Sequence, residues 1–544
     1  MANRLSGLLN QLLPWFFGFS LFWTISPFPF PFGNQDPYFF WSYNTSLNQL
    51  LNHDFLSVQP DPFPLFSILF RYLPAWFYPI ASHLIFFLLA VVYFVSFSKL
   101  LQGKLNRQTW ILPGLFLVAH SSFVWSGFMN HAFNLDLRWF WHHGIAGQGL
   151  LFGYLQPSAW GVFLLLALVY SIQQKWKGFL ICLSIVGAFH ANYILLGGMI
   201  LLVVFYYYPK KILAEWPLLL CLSVAWLPYL AYSYTYFKPN NTEFKLASEY
   251  FIQNNPHLDP LHWLNLETYF KAGFMVVVFG FFTRNWHRQV LLAILGLCLS
   301  LSILALVWKN VFLINLAPWR MSVILMPVAL FLFLSKLSDW LSASPKVTGL
   351  IAGLFLGILA AELSFKVFGN LNPNFVETWK KLAFQGILIA ALLGIGLAYL
   401  PKSQNLAPAL LVLALPALGV LQHRFETMEL AKLPEWEAEK ELRSTPDSNR
   451  VLLFPLEFKS VRLRAKTAVY IDANVYFSPA LPEWKRRQEW NIAFFNNPKS
   501  FSKTDIRQQG ITHLLCNKNI SLTDSVWELQ KSYSHLHLYK LHEP

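Results

Sequence analysis

Charge is the first thing this chain lacks. Only 12% of its 544 residues are Asp, Glu, Lys or Arg, about half the share of a soluble globular protein. With 55% hydrophobic residues, the apolar surplus excludes a water-soluble fold and requires lipid. Cysteine is scarce too: Cys182, Cys221 and Cys298 sit in apolar runs as small hydrophobes, and Cys516 is alone in the polar tail. The absence of CxxC and of metal spacing excludes a disulfide framework and a zinc site. The C-terminal tail has no G-x-G-x-x-G, no G-x-x-x-x-G-K-[ST] and no G-x-S-x-G, so nothing there points to nucleotide binding or hydrolysis. Acids are few, 27 against 41 Lys and Arg. In a membrane chain a formal charge of +14 belongs to basic cytoplasmic loops facing anionic lipid rather than to nucleic-acid binding.

What is present is a succession of apolar windows, each of about 17–25 residues. They fall at 8–27, 75–100, 109–128, 155–172, 179–190, 193–208, 213–236, 268–283, 289–308, 319–335, 346–365, 379–400 and 406–422. The expected fold is mainly α, a polytopic transmembrane helical bundle of about thirteen spans, with a small C-terminal extracytoplasmic α/β domain. The domains are then 1–423, carrying long outer loops at 28–74, 129–154 and 237–267, and 424–544. Arg4 precedes the first window and no small-residue cleavage site follows it, as in a retained signal anchor. Lys104 and Arg107, Lys175 and Lys177, Lys210 and Lys211, Arg284 and Arg288, Lys336 and Lys346, and Lys402 fall on alternate sides of the count. That places the N-terminus in the cytoplasm and the tail outside, with two separate spans around His190. Within the tail, VLLFP, AVYID, THLLC and LHLYKL read as strands, and PEWKRRQEWNIAFF and DSVWELQKSY as helices.

Chemistry concentrates in the outer loops. The first polar break, Pro31 to Pro64, holds Asp36, Asp54 and Asp61 and no Lys or Arg. Its Ser46–Asn52 stretch reads as an amphipathic helix. A carboxylate at the outer leaflet either binds a divalent cation or takes a proton from an acceptor hydroxyl. The competing reading of Asp36-Pro37 is a helix start, and of Asp54 and Asp61 a turn or cap. The second loop places His131, His142 and His143 with Asp136 and Arg138. Arg138 suits a phosphate, whose oxygens its fork binds in pairs; an interfacial aromatic and His belt is the alternative. His190 is polar within an apolar stretch and faces a cavity or a partner helix. Arg320 opens a span, to snorkel or to hold a lipid phosphate. Glu362 lies near the outer end of its span, within reach of water. His257, Asp259 and His262 are metal-like in type, but the prolines around them explain most of the pattern as turn chemistry.

These features together resemble the GT-C glycosyltransferases, membrane enzymes that move a sugar from a polyprenyl-phosphate carrier to an acceptor on the outer face. Asp36-Pro37-Tyr38-Phe39 is similar to the Asp-Pro-Tyr-Tyr segment that carries the first-loop acid in oligosaccharyltransferase-like members. GQGLLFGYLQPSAWG, His190, NPHLDPLHW and APWRMSV, with a TP-x-x-x-x-x-LLFP strand and VRLRAKTAVYID in the tail, resemble a bacterial group of GT-C-like proteins. The chain departs from better-known members in three ways. It has no paired acids in loop one, Asp136-Leu-Arg138 replaces the acidic pair of loop two, and no Trp-Trp-Asp signature occurs in the tail.

The resemblance implies a hexosyl- or pentosyltransferase in the bacterial inner membrane. Asp36 is its catalytic base, or the ligand of a divalent ion such as magnesium or manganese. Arg138, His142, His143, His190, Arg320 and Asp54 line the substrate. The partners implied are a polyprenyl-phosphate donor, membrane lipids and a glycan, lipid or protein acceptor. Asp36, Arg138 and Arg320 are expected to face one pocket. Two alternatives stand beside this reading: a flippase for a lipid-linked substrate, which needs charges in mid-helix or broken helices in repeated halves, and a non-catalytic assembly protein.

Overall fold

The computed structural model describes residues 2–101, 110–138, 140–236, 242–255, 257–283, 285–309, 314, 316–368, 375–399, 406–458, 461–473, 480–523 and 525–542. Lys104, Arg107, Arg284 and Lys402, used for the orientation, lie outside the described residues. The chain is a multi-pass helical membrane protein with one small sheet, and it forms two compact units.

The first unit comprises Met1–Pro27, His83–Trp226 and Pro256–Arg424. Among the described residues of the chain, six helices are long and apolar enough to cross a membrane: Ala75–Leu100, His287–Trp308, Pro318–Ser342, Pro345–Val367, Trp379–Ala398 and Leu406–Leu430. The window expected at 109–128 is instead a pair, Ile111–Ala119 and Phe123–Phe133, bent by 52°. A π-helical turn at Phe123–Phe128 follows the bend; such turns arise where the regular ladder is interrupted. Other windows fold as shorter apolar helices, among them Pro157–Ile172, Trp176–Phe189 and Ala191–Tyr207. The break at His190 is real: its backbone is extended (φ −153°, ψ 119°), and its Nδ1 accepts from Asn192 N to start the second helix. Cys221 is exposed rather than buried.

One helix pair shows how sequence sets packing. Pro345–Phe368 carries Gly349, Gly353 and Gly357 at four-residue spacing, which lines them along one face. A Cβ at Gly349 would lie 2.2 Å from Gly394 O, and one at Gly353 2.3 Å from Ala390 O, on the helix Phe375–Ala398. In lipid, where apolar burial adds little between helices, this approach of backbones holds the pair together.

The second unit comprises Phe28–Ser82, Leu227–Asn255 and Phe425–Pro544, so the loop expected at 28–74 folds with the tail. Its sheet has the strands β1 (Val451–Leu453), β2 (Ala468–Val469), β3 (His513–Asn517), β4 (Trp527–Ser532) and β5 (Leu536–Leu541) in the order β2-β1-β3-β5-β4. β1 pairs in parallel with β2 and β3, while β3–β5 and β4–β5 are antiparallel. The expected helix at DSVWELQKSY is therefore a strand. A tight turn before β5 lets Trp527–Ser532 pair as a hairpin, with a bulge between Leu529 and Lys531, and this pairing outweighs the helical propensity of Glu, Gln and Lys. The helix expected at Ser46–Asn52 lies earlier, at Gln35–Ser46. The chain turns after it because Asn44 Oδ1 accepts from Leu51 N, and Asn48 and Gln49 take positive φ. The helix Thr242–Gln253 packs on Leu481–Asn496 through Tyr250 and Phe251 against Trp484.

Gly353→Leu forces the two helix backbones apart. It is expected to lower the thermal midpoint of the detergent-solubilised chain by several degrees, for a loss of about 1–3 kcal/mol, whereas Gly273→Leu, whose Cβ meets nothing within 4 Å, should leave the midpoint unchanged.

Candidate functional site

Asp36 lies in the first turn of the helix Gln35–Ser46, but its carboxylate does not cap that helix. It points into the interior of the second unit, where the residue is 2% exposed. Oδ1 accepts from Leu463 N at 2.9 Å and Oδ2 from Arg462 Nη1 at 2.9 Å. Asp54 caps the short turn Phe55–Val58 by accepting from Leu56 N at Oδ1. Its Oδ2 accepts from Val469 N at 2.8 Å and from Arg462 Nε at 2.7 Å. Asp472 Oδ2 accepts from the same Arg462 Nη1 at 2.5 Å. One fully buried guanidinium thus holds three carboxylates, two from the loop at 28–74 and one from the tail. The short helix Val461–Ala465 supplies it and also carries Arg464, which pairs with Glu439 at 2.9 Å and Glu435 at 3.6 Å.

The electrostatics follow from this crowding. Burial pushes the Asp36 carboxyl up to about 6; Arg462 pulls it down, and Asp472 and Asp54 push it back up. Burial opposes charge on Arg462 as well, but the carboxylates, Asp472 foremost, outweigh it and hold the guanidinium well above its ordinary range. Glu439 is pushed up to about 8, by burial above all, against its pairing with Arg464. The three aspartates converge on a guanidinium, and among the described residues no group of three or more His, Cys, Asp or Glu is placed to hold a metal ion.

The remaining expected residues lie in the first unit. His142 and His143 are buried, ring against ring at 5.0 Å, and His142 stacks on His120 at 4.6 Å. Burial pushes both imidazoles well below their usual value, helped by His120 at His142 and by Lys271 at His143, so both are neutral at pH 7. The loop that follows is tightly built. Ile145 N donates to Ser322 Oγ at 2.7 Å, Lys271 Nζ to Gly144 O at 3.3 Å, and His257 Nδ1 lies 2.7 Å from Ala146 O. A side chain at Gly149 would strike the His143 ring.

Arg320 lies in the turn Pro318–Met321, within electrostatic reach of His190 and His257. Arg138 N donates to Asp136 Oδ1 at 3.0 Å, and its Nη2 to Ser126 Oγ at 3.1 Å. Asp259 caps its own turn and meets His262 at 3.0 Å, as turn chemistry implied. Glu362 does not reach water: it is fully buried and accepts from His131 Nδ1 at 2.8 Å. Asp36 and Asp54 are thus brought together in one unit, and His142, His143, His190, Arg138 and Arg320 belong to the other. Sequence reasoning missed Arg462, Asp472, Lys271 and His120. A usable signal for the first was VRLRA, two arginines among apolar residues in a small domain, where a buried guanidinium needs carboxylate partners.

Asp36 and Glu439 have folded-state values above their ordinary ones, so the folded unit binds more protons than the unfolded chain. Their contribution to stability grows as pH falls through those values and is lost as pH rises. Buried imidazoles such as His142 and His143 act in the opposite sense, so the comparison is with the variant: Asp36→Asn with Glu439→Gln is expected to lower the thermal midpoint at about pH 5.5 relative to that at about pH 8, compared with wild type. An equal slope in both proteins would contradict the assignment.

No family model and no curated protein matches this chain. Among solved structures, it is similar to ArnT from Cupriavidus metallidurans. The structure of ArnT bound to undecaprenyl phosphate aligns at a TM-score of 0.46 and 10% identity, over 99% of this chain and 98% of that one. The apo structure aligns at 0.45 and 9%, over the same shares.

Proposed function

We propose that the chain is a membrane glycosyltransferase that moves a sugar from a polyprenyl-phosphate-type lipid donor to an acceptor on the outer face of a bacterial inner membrane, with the N-terminus cytoplasmic and the tail outside. The observation that carries this reading is Asp36, a first-loop carboxylate that burial pushes up to about 6. A general base is most effective when its pKa lies near the working pH. At pH 7 this carboxylate is largely ionised yet a stronger base than an exposed aspartate. Each of its oxygens accepts one bond from the protein, and a carboxylate has about four acceptor sites, so capacity for a substrate proton remains.

The chemistry is a direct displacement. Asp36 takes the proton of the acceptor hydroxyl, and the acceptor oxygen bonds to the anomeric carbon. The bond from that carbon to the phosphate oxygen breaks, its electron pair stays on the phosphate, and the sugar is inverted. The charge that grows on the departing phosphate calls for cationic partners. No step runs through a metal ion. One observation favours a second reading, a non-catalytic assembly protein: Asp36 is 2% exposed and bound on both oxygens, as in a purely structural ion pair.

The test is sugar transfer by the full chain in vesicles, with a polyprenyl-phosphate-linked sugar and a panel of hydroxyl acceptors. Asp36→Asn is expected to lower kcat at least about 100-fold at unchanged expression. Asp61→Asn, in the same loop, keeps its turn bond to Phe63 N and should transfer at the wild-type rate. Full turnover by Asp36→Asn would remove the proposal.

A further inference from the structure

The cluster around Arg462 holds more acid than base. Arg462 and Arg464 face Asp36, Asp54, Asp472, Glu435 and Glu439. The five acids are not equivalent. Asp54 is pinned by two backbone N–H groups, Leu56 N and Val469 N, and it fixes Arg462 through Nε. Phe40 lies under the guanidinium at 5.7 Å. Arg462 therefore has little freedom, and it presents Nη1 to two carboxylates at once: Asp36 at 2.9 Å and Asp472 at 2.5 Å. The two must share one nitrogen, and the shorter contact belongs to Asp472. Glu435 and Glu439 belong to Arg464 instead.

We propose that Arg462 and Asp472 are positioning residues for Asp36. The guanidinium fixes its carboxylate, and Asp472, competing for the same nitrogen, loosens that hold so that Asp36 accepts the acceptor's proton. The inference rests on the reading of Asp36 as the base. Without Asp472, the whole of Nη1 turns to Asp36 and makes it a weaker base. Without Arg462, the carboxylates repel one another and Asp36 loses its orientation. Other groups also face Asp36. They are Asp54, Tyr43 on its own helix with Arg443 beside it, and Glu439 with its partner Arg464. Arg71, on the helix Pro64–Arg71 packed beside it, faces Asp61.

Asp472→Asn separates this role from a structural one. It removes a negative charge that pushes Asp36 up and leaves an acceptor for Nη1. The midpoint of the acid limb of transfer is expected to move to lower pH by about one unit. The carbonyl stretch of protonated Asp36, read in the infrared as the difference between each protein and its Asp36→Asn version, should titrate with the same shift. Arg462→Lys keeps the charge but cannot span Asp36 and Asp54 together, so kcat should fall at least about tenfold with the donor KM unchanged.

If Asp472→Asn lowers activity equally at every pH and leaves the infrared midpoint in place, Asp472 is only a brace and the inference is overturned. If Asp36→Asn transfers sugar at full rate, the reading of Asp36 as base fails, while the infrared titration still decides whether Asp472 tunes its proton affinity.

Discussion

A single guanidinium ties the second unit together. Arg462, fully buried, bonds Asp36 and Asp54 of the loop at 28–74 and Asp472 of the tail. Burying a charge is costly unless it is paired and hydrogen-bonded, and removing one member of such a group leaves the rest uncompensated. The loop at 28–74 therefore folds with a tail some 400 residues further along the chain.

The same interaction sets the chemistry available to Asp36. In water its carboxyl would ionise near 4. Burial pushes it up and Arg462 pulls it down. With Asp472 sharing the guanidinium, the carboxyl settles at about 6. Structural anchoring and proton acceptance are not rival explanations of this cluster. The bonds that anchor the loop are those that hold the carboxylate near neutrality.

Much of this was legible in the sequence, for identifiable reasons. Apolar windows mark lipid contact whatever the tertiary fold, and the scarcity of acids made Asp36 and Asp54 conspicuous. The break at His190 showed as a polar residue between two apolar runs. Pairing was not legible. Nothing local in VRLRAK names a partner 426 residues away, and a burial pattern gives a period without giving a neighbour. The same gap explains Glu362, whose place near a helix end suggested water; His131, on a distant helix, keeps it buried. The Trp527–Ser532 strand was missed because its side chains favour a helix in isolation, and its pairing with β5 decided otherwise. The length of the spans was only partly legible, since several windows fold into helices shorter than a full crossing.

The most direct measurement of the central claim is a double-mutant cycle between Asp54 and Arg462 in the full chain, with unfolding free energies of the wild type, Asp54→Ala, Arg462→Ala and the double variant. If Arg462 binds the first loop to the tail, the two losses are strongly non-additive, with a coupling of about 2–3 kcal/mol. Losses that simply add would contradict it.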